Sequence, residues 1–283
     1  MVTIVSIIGG GGKMGKWLCR HFLKMNYSIR IYDLKTPKRV SSKITVCKSI
    51  EECVRIADIV VISVPVAQTP WVITQCGLFM KNRSVLLEIS SIKNDVVKAL
   101  LKTRSSITPI SVHPMFGPGA KSANNKKVLL VPIRNERIEY RKSSLIFKGS
   151  RIIIIKNAKE HDESMSLVLG LVYYLNLIFA LVLSNKDIPK LRKYAGTSYT
   201  IQSLLCESIL ASESSLISSL VMLNPYLEKH VIQVVKNVNK IFAIMKTNDT
   251  NKLELIINIL KQKYAQDLNF DRSYGKLYSL FGL

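Results

Sequence analysis

The sequence predicts an α/β fold, a doubly wound and mostly parallel sheet, followed by an all-helical half. Three observations carry this. Short β-branched apolar runs alternate with helical stretches as far as residue 156. A glycine-rich loop joins the first such run to the first helix. From Ala158 onward the alternation stops and the apolar spacing is helical. The expected division is therefore 1–156 for the sheet domain and 157–283 for the helical one.

Residues 2–8 are a β-branched run of the kind buried on both faces of a parallel sheet. Gly9-Gly10-Gly11-Gly12-Lys13-Met14-Gly15 follows, and then a helix. Gly10, Gly12 and Gly15 have G-x-G-x-x-G spacing. The first would make the tight turn, the second would admit a pyrophosphate, and the third would let helix pack on strand. Gly11, Lys13 and Met14 complete the loop, and the helix N-terminus would face the phosphates. This is the signature of a Rossmann-type dinucleotide-binding unit.

The next strand, 28–32, ends at Asp33, eighteen residues past Gly15. An acid there would accept hydrogen bonds from an adenosine ribose and disfavour a 2′-phosphate. The expected cofactor is NAD. Lys35, Lys38 and Arg39 follow closely and would suit a 2′-phosphate, so NADP stays open. A plain turn residue is the other reading of Asp33. Ser49 and Glu52 have the spacing of a capping box that opens a short helix. Residues 59–64 form a further buried-type strand broken by Pro65, which adds Ser63 and Pro65 to the expected cofactor contacts.

A strand at 85–89 leads to Ser90-Ser91-Ile92-Lys93, and a helix over 94–101 leads to a strand ending at His113. The loop 114–119 is shaped by Pro114, Gly117, Pro118 and Gly119. Gly10, Asp33, Pro65, Ser91 and His113 each follow a predicted strand. One parallel sheet would place all five on its carboxyl edge, where ligands of such sheets bind. A histidine there, titrating near neutrality, suits proton transfer. The alternative is a histidine that merely caps a strand. Strands at 128–133 and 151–155, with a helix between, extend the sheet.

Lysine and arginine number 41 against 19 acidic residues, a formal charge of +22. That favours anionic partners such as dinucleotides and carboxylates. The most basic window, 121–156, carries no nucleic-acid motif and reads as a solvated face, so no nucleic-acid partner is expected. Five cysteines without a C-x-x-C pair read as reduced buried thiols of a cytoplasmic protein, with no metal site. Residues 167–183 carry no charge and approach the length of a membrane span. Lying mid-chain and alone, the segment reads as a core helix or part of an intertwined dimer, and no membrane partner is expected.

With these residues in place the chain resembles the prephenate dehydrogenases of tyrosine biosynthesis. The resemblance rests on the IIGGGGKMG loop, Ser91-Ile92-Lys93, the HPMFGP loop from His113 to Pro118, and His161-Asp162 with Met165. A weaker echo is the segment 212–217. The resemblance implies a Rossmann-type domain joined to a helical domain that forms a homodimer interface. It implies NAD-dependent oxidative decarboxylation of prephenate to 4-hydroxyphenylpyruvate, with His113 accepting the proton of the ring hydroxyl. Ser91 would hydrogen-bond the same hydroxyl or His113 and so fix its tautomer.

One position departs from the family. Ser208 stands where an arginine usually holds a substrate carboxylate, and serine lacks arginine's bidentate fork. Either Arg192 or Lys193 takes the role, or the substrate is arogenate. Reductases centred on a lysine of the helical domain fit less well, because here the strand-end histidine is the feature. A catalytically silent dinucleotide-binding protein is the reading from another class.

Overall fold

The computed structural model describes residues 2–35 and 41–279. Lys38 and Arg39, expected near a ribose phosphate, lie outside them. The strands are β1 Ile4–Ile8, β2 Ser28–Tyr32, β3 Ile44–Val46, β4 Ile59–Ile62, β5 Val85–Glu88, β6 Thr108–Pro114, β7 Lys127–Val131 and β8 Arg151–Ile154. They form one sheet in the order β3-β2-β1-β4-β5-β6-β7-β8. Every pairing is parallel except β6 with β7. The predicted sheet is present. Its edge strand β3 went unread because Ile44-Thr45-Val46 is three residues long and mostly exposed.

The helices in the sheet-forming region are α1 Lys13–Lys24, α2 Ile50–Val54, α3 Thr69–Phe79, α4 Asn94–Leu101 and α5 Glu136–Ile146. Neighbouring strand residues alternate between two cores. Ile7, Val61, Leu87 and Val112 join Trp17, Leu18 and Phe22 of α1 and Phe147 just after α5 on one face. Ile8, Val60, Ile62 and Leu86 join Val54, Ile73 and Leu100 on the other. Helices on both faces explain why these strands are apolar throughout rather than alternating. The capping box forms as read. Ser49 Oγ accepts the Glu52 N–H at 3.0 Å, while Glu52 Oε2 accepts the Lys48 N–H at 2.8 Å. All five cysteines are free and buried.

The remaining helices are α6 Ala158–Met165, α7 Val172–Leu183, α8 Ile188–Lys193, α9 Thr197–Leu210, α10 Ser214–Met222, α11 Leu227–Lys246, α12 Thr250–Tyr264 and α13 Ser273–Ser279. A π-helical turn, Ser166–Leu171, links α6 to α7. Two compact units result: Met1–Tyr173 with Ser212–Tyr226, and Tyr174–Ala211 with Leu227–Leu283. The sheet ends at Ile154, close to the expected boundary at 156. The compact unit that contains it goes on to Tyr173 and takes in α10 as well.

One expectation is corrected within the single chain. The continuous helix Ala158–Leu183 is long and apolar enough to cross a membrane, yet only 17% of its most apolar window is buried. Leu181 is 68% exposed and Val182 66%. In the second unit α11 likewise exposes Ile232, Val235, Val238, Phe242 and Met245, spaced along one helical stripe.

Candidate active site

The carboxyl ends of β1, β2, β4, β5 and β6 share one edge of the sheet, as the sequence predicts. At β1 the turn belongs to Gly9, not Gly10. Gly9 has φ +86°, and a Cβ there would lie 2.3 Å from the Ser63 carbonyl oxygen. Gly10 is needed for another reason, since its Cβ would meet the Ile31 side chain at 2.6 Å. Gly15 lets α1 approach the turn, because a Cβ would lie 2.1 Å from Gly9 O. Gly12 differs from these three. Its Cβ would meet only Gly9 O, at an ordinary 3.5 Å, so the protein's own packing does not demand a glycine there.

Gly12 is also the N-cap of α1, which has no side-chain cap and no acid in its first turn. With neither a capping side chain nor an acid, the positive end of the helix dipole at this terminus suits an anion. Asp33 Oδ2 accepts the Gly11 N–H at 2.9 Å, and Oδ1 accepts the Lys35 N–H at 3.1 Å, fixing the carboxylate beside the loop. Ser63 borders the loop through Gly9, and its N–H bonds Ile8 O at 2.8 Å. A bare glycine, an open helix terminus and a fixed carboxylate together fit a dinucleotide.

His113 does not sit past its strand. It is within β6, beyond the end of β5, where β6 pairs only with β7 and His113 lies opposite Leu129. Where β5 has ended, the Val112 carbonyl is taken by the Lys93 ammonium at 2.7 Å. Lys93 also pairs with Glu88 at 2.6 Å, both side chains being fully buried. Glu88 accepts Ser111 Oγ at 2.5 Å and the Ser90 N–H at 2.6 Å as well. Burial lowers the Lys93 pKa, and the Glu88 charge opposes that shift.

His113 is 5% exposed. Its Nδ1 lies 3.1 Å from His161 Nε2, and His161 Nδ1 lies 2.7 Å from Asp162 Oδ1. Asp162 in turn accepts the Lys93 N–H at 2.8 Å and the Asn94 N–H at 2.9 Å. It thereby caps α4, whose own N-cap residue supplies no side-chain bond. Asn224 Nδ2 donates to the Asp162 carbonyl at 2.8 Å. Burial pushes the His113 pKa well below the usual 6.5, helped by His161 and Lys93. The expected titration near neutrality is therefore corrected, and the ring is neutral at pH 7. His161 is lowered by burial too, with Asp162 opposing.

Ser91, half-buried, makes no hydrogen bond to His113 among the described residues; that place belongs to His161. The loop after His113 is anchored on α1. Trp17 Nε1 donates to Ala120 O at 2.6 Å, and the Phe116 ring packs 5.0 Å from Trp17. In the second unit, Arg192 is engaged by Glu207 at 2.5 Å, Lys193 is exposed on α8, and Ser208 Oγ donates to Leu205 O. Glu88, His161, Asp162 and Trp17 were not read as site residues. The visible signal was an acid inside an apolar strand five residues before a lysine, and an HD pair at the start of a helix.

Residues 21–154 match the family model described as prephenate dehydrogenase, nucleotide-binding domain. Residues 157–262 match that of the prephenate dehydrogenase dimerization domain. The chain belongs to the prephenate dehydrogenase family. It is 27% identical over 286 residues to a "probable arogenate/prephenate dehydrogenase" of Methanocaldococcus jannaschii, covering 97% of this chain and 63% of that protein. It is 25% identical over 221 residues to the "T-protein" of Haemophilus influenzae, covering 77% of this chain and 55% of that protein. The chain thus spans about three fifths of the length of these curated relatives.

Among solved structures, the prephenate dehydrogenase of Aquifex aeolicus with hydroxyphenyl propionate and NAD+ superposes with a TM-score of 0.72 at 17% identity, covering 94% of this chain and 98% of that one. The Synechocystis arogenate dehydrogenase gives 0.66 at 13%, covering 93% and 99%. These share the fold. In this prephenate dehydrogenase-family chain, Gly15→Ala is expected to destabilise by about 1–3 kcal/mol, because backbone must move to admit the methyl. Urea denaturation measures that loss. The accompanying shift of the loop should reduce the rise in Tm on nucleotide addition.

Proposed function

We propose that the chain is an NAD-dependent dehydrogenase that converts prephenate to 4-hydroxyphenylpyruvate, carbon dioxide and NADH. The observation that carries this is a neutral, buried histidine on the same sheet edge as an open dinucleotide loop. Gly10, Gly11, Gly12, Lys13, Met14 and Gly15 would hold the pyrophosphate, Asp33 the ribose, and Ser63 and Pro65 the flank of the nicotinamide half. When bound, NAD accepts the hydride that leaves the hydroxyl-bearing ring carbon.

The protein's own part is proton handling. As that carbon becomes a carbonyl, its hydroxyl proton passes to His113 Nε2. Loss of carbon dioxide from the opposite ring carbon then makes the ring aromatic and leaves a phenolate oxygen. Between anionic prephenate with NAD+ and the products with NADH no net proton is released, so His113 returns its proton to that oxygen. General acid–base transfer of this kind is worth about 10²–10⁴ in rate. Ser91 would hydrogen-bond the same hydroxyl.

The substrate carboxylate falls to Arg192 or Lys193, since Ser208 occupies the family's arginine position. That substitution favours arogenate as the second reading. Purified protein with NAD and prephenate, followed by NADH absorbance with arogenate and NADP in parallel, tests both. NADH from prephenate supports the main reading, and reduction with arogenate alone replaces it by the second. No reduction with bound NAD overturns both in favour of a silent binding protein.

We also propose a cytoplasmic homodimer, in which a second copy covers the apolar surface of 167–183 and of α11. Light scattering on the purified chain is expected to give about twice the 31.9 kDa monomer mass. Leu181→Asp should shift it towards monomer by placing a charge in a desolvated contact.

A further inference from the structure

His161 and Asp162 have no part in the proton transfer proposed above, yet a line of hydrogen bonds runs through them from the start of α4 to the His113 ring. The donors and acceptors along this line admit one arrangement of protons. Asp162 receives two main-chain N–H groups at the N-terminus of α4, where the helix favours an anion, so its carboxylate acts only as an acceptor. His161 Nδ1, at 2.7 Å from Oδ1, must then carry the proton, because a lone pair there would face a carboxylate oxygen. A neutral His161 with its proton on Nδ1 presents a lone pair at Nε2. His113 Nδ1, 3.1 Å away, must be the donor to it. That leaves the lone pair of His113 on Nε2. This atom has no partner among the described residues and is not among the sealed, unpartnered atoms.

We infer that Asp162 and His161 are positioning residues that fix His113 in the Nδ1–H tautomer and so make Nε2 its basic atom. This rests on the reading of His113 as the base. When Nε2 takes the proton, the positive charge that forms is met by a chain ending in the Asp162 carboxylate. The logic is that of a carboxylate that orients an imidazole, with one more ring inserted between them.

An isosteric change tests the direction of the chain. In Asp162→Asn an oxygen in the place of Oδ2 keeps both the Asn94 N–H, now at 2.9 Å, and the Lys93 N–H, now at 3.1 Å, which leaves the amide NH2 towards His161. His161 must then accept on Nδ1 and carry its proton on Nε2. His113 must accept on Nδ1 and carry its proton on Nε2, where it can no longer act as a base. Turnover is expected to fall at least about a hundredfold, with the KM for substrate and the Kd for NAD within about twofold of the parent. His161→Gln, whose Oε1 can stand in for the accepting Nε2, should retain more activity than His161→Leu.

The tautomers themselves can be read without any turnover. The chain has four histidines, so nitrogen-15 histidine labelling gives few enough signals to assign with His113→Asn and His161→Gln. His113 Nε2 and His161 Nε2 are expected to show unprotonated shifts in the parent, and both rings are expected to reverse in Asp162→Asn. A parent His113 protonated on Nε2, or an Asp162→Asn protein with parental turnover, overturns the inference. A parent inactive on prephenate and arogenate but showing the expected tautomers would sink the proposed function alone.

Discussion

His113→Asn is expected to bind NAD like the parent while turning over at least about a hundredfold more slowly. Asparagine keeps a polar group in the strand, but no nitrogen that can take a proton at neutral pH. The hydroxyl proton would then have to leave without a partner as the carbonyl forms. On the proposed reading dinucleotide affinity rests on the glycine loop and Asp33, none of which contacts His113 through a hydrogen bond. Near-parental kcat in this variant would remove His113 from the reaction.

The pH profile adds a sign. Burial holds the pKa of the free protein's His113 well below 6.5. The reactive form is the neutral ring, so kcat/KM should stay level as pH falls through 6.5 and drop only beneath it. Stability follows the same group. The unfolded chain takes up protons on His113 and His161 below about 6.5, where the fold still holds both neutral. The stability contribution is therefore full above that pH and is lost as pH falls through the lowered folded-state values. An acid limb centred above 6.5 would contradict this assignment.

Glu88→Ala is expected to cost about 3–5 kcal/mol, the usual penalty for removing one member of a buried ion pair. Lys93 would keep its charge at zero exposure with the Val112 carbonyl as its remaining hydrogen-bond acceptor. Ser111 Oγ and the Ser90 N–H would lose their acceptor as well. Urea denaturation of the single variant and of Glu88→Leu with Lys93→Met separates the two effects. The double change removes both charges and should recover most of the loss. A single variant within about 1 kcal/mol of the parent would mean that Lys93 is neutral in the fold.

The sheet could be read from the chain because its strands are buried on both faces, so each one appears as an unbroken β-branched run. The carboxyl edge followed from their parallel order, which brought Gly10, Asp33, Ser91 and His113 to one place. What escaped had a shared physical cause. Asp162 caps a helix 68 residues away in sequence, and His161 reaches a strand 48 residues back. A remote cap leaves no local trace, because α4 begins with Lys93-Asn94, which looks merely uncapped. Gly9 was passed over because four consecutive glycines cannot be ranked by spacing, only by which of them adopts positive φ. The segment 167–183 reads as a core helix or as part of an intertwined dimer because composition reports that an apolar surface must be covered without saying by what.

Pairing of β6 with β7 beyond the end of β5 gives His113, the proposed proton acceptor, an unusual mechanical standing for a residue of its kind. Many such groups sit on loops, which open and close on their own at little cost in free energy. His113 is instead held in a ladder between Val112 and Pro114, opposite Leu130, Leu129 and Val128, with β8 beyond. To displace it the sheet must part, and that is an event on the scale of global unfolding. Partial denaturants or modest heating should therefore blur the helical surface and the glycine loop well before they disturb His113. As long as the sheet survives, His113 keeps its place.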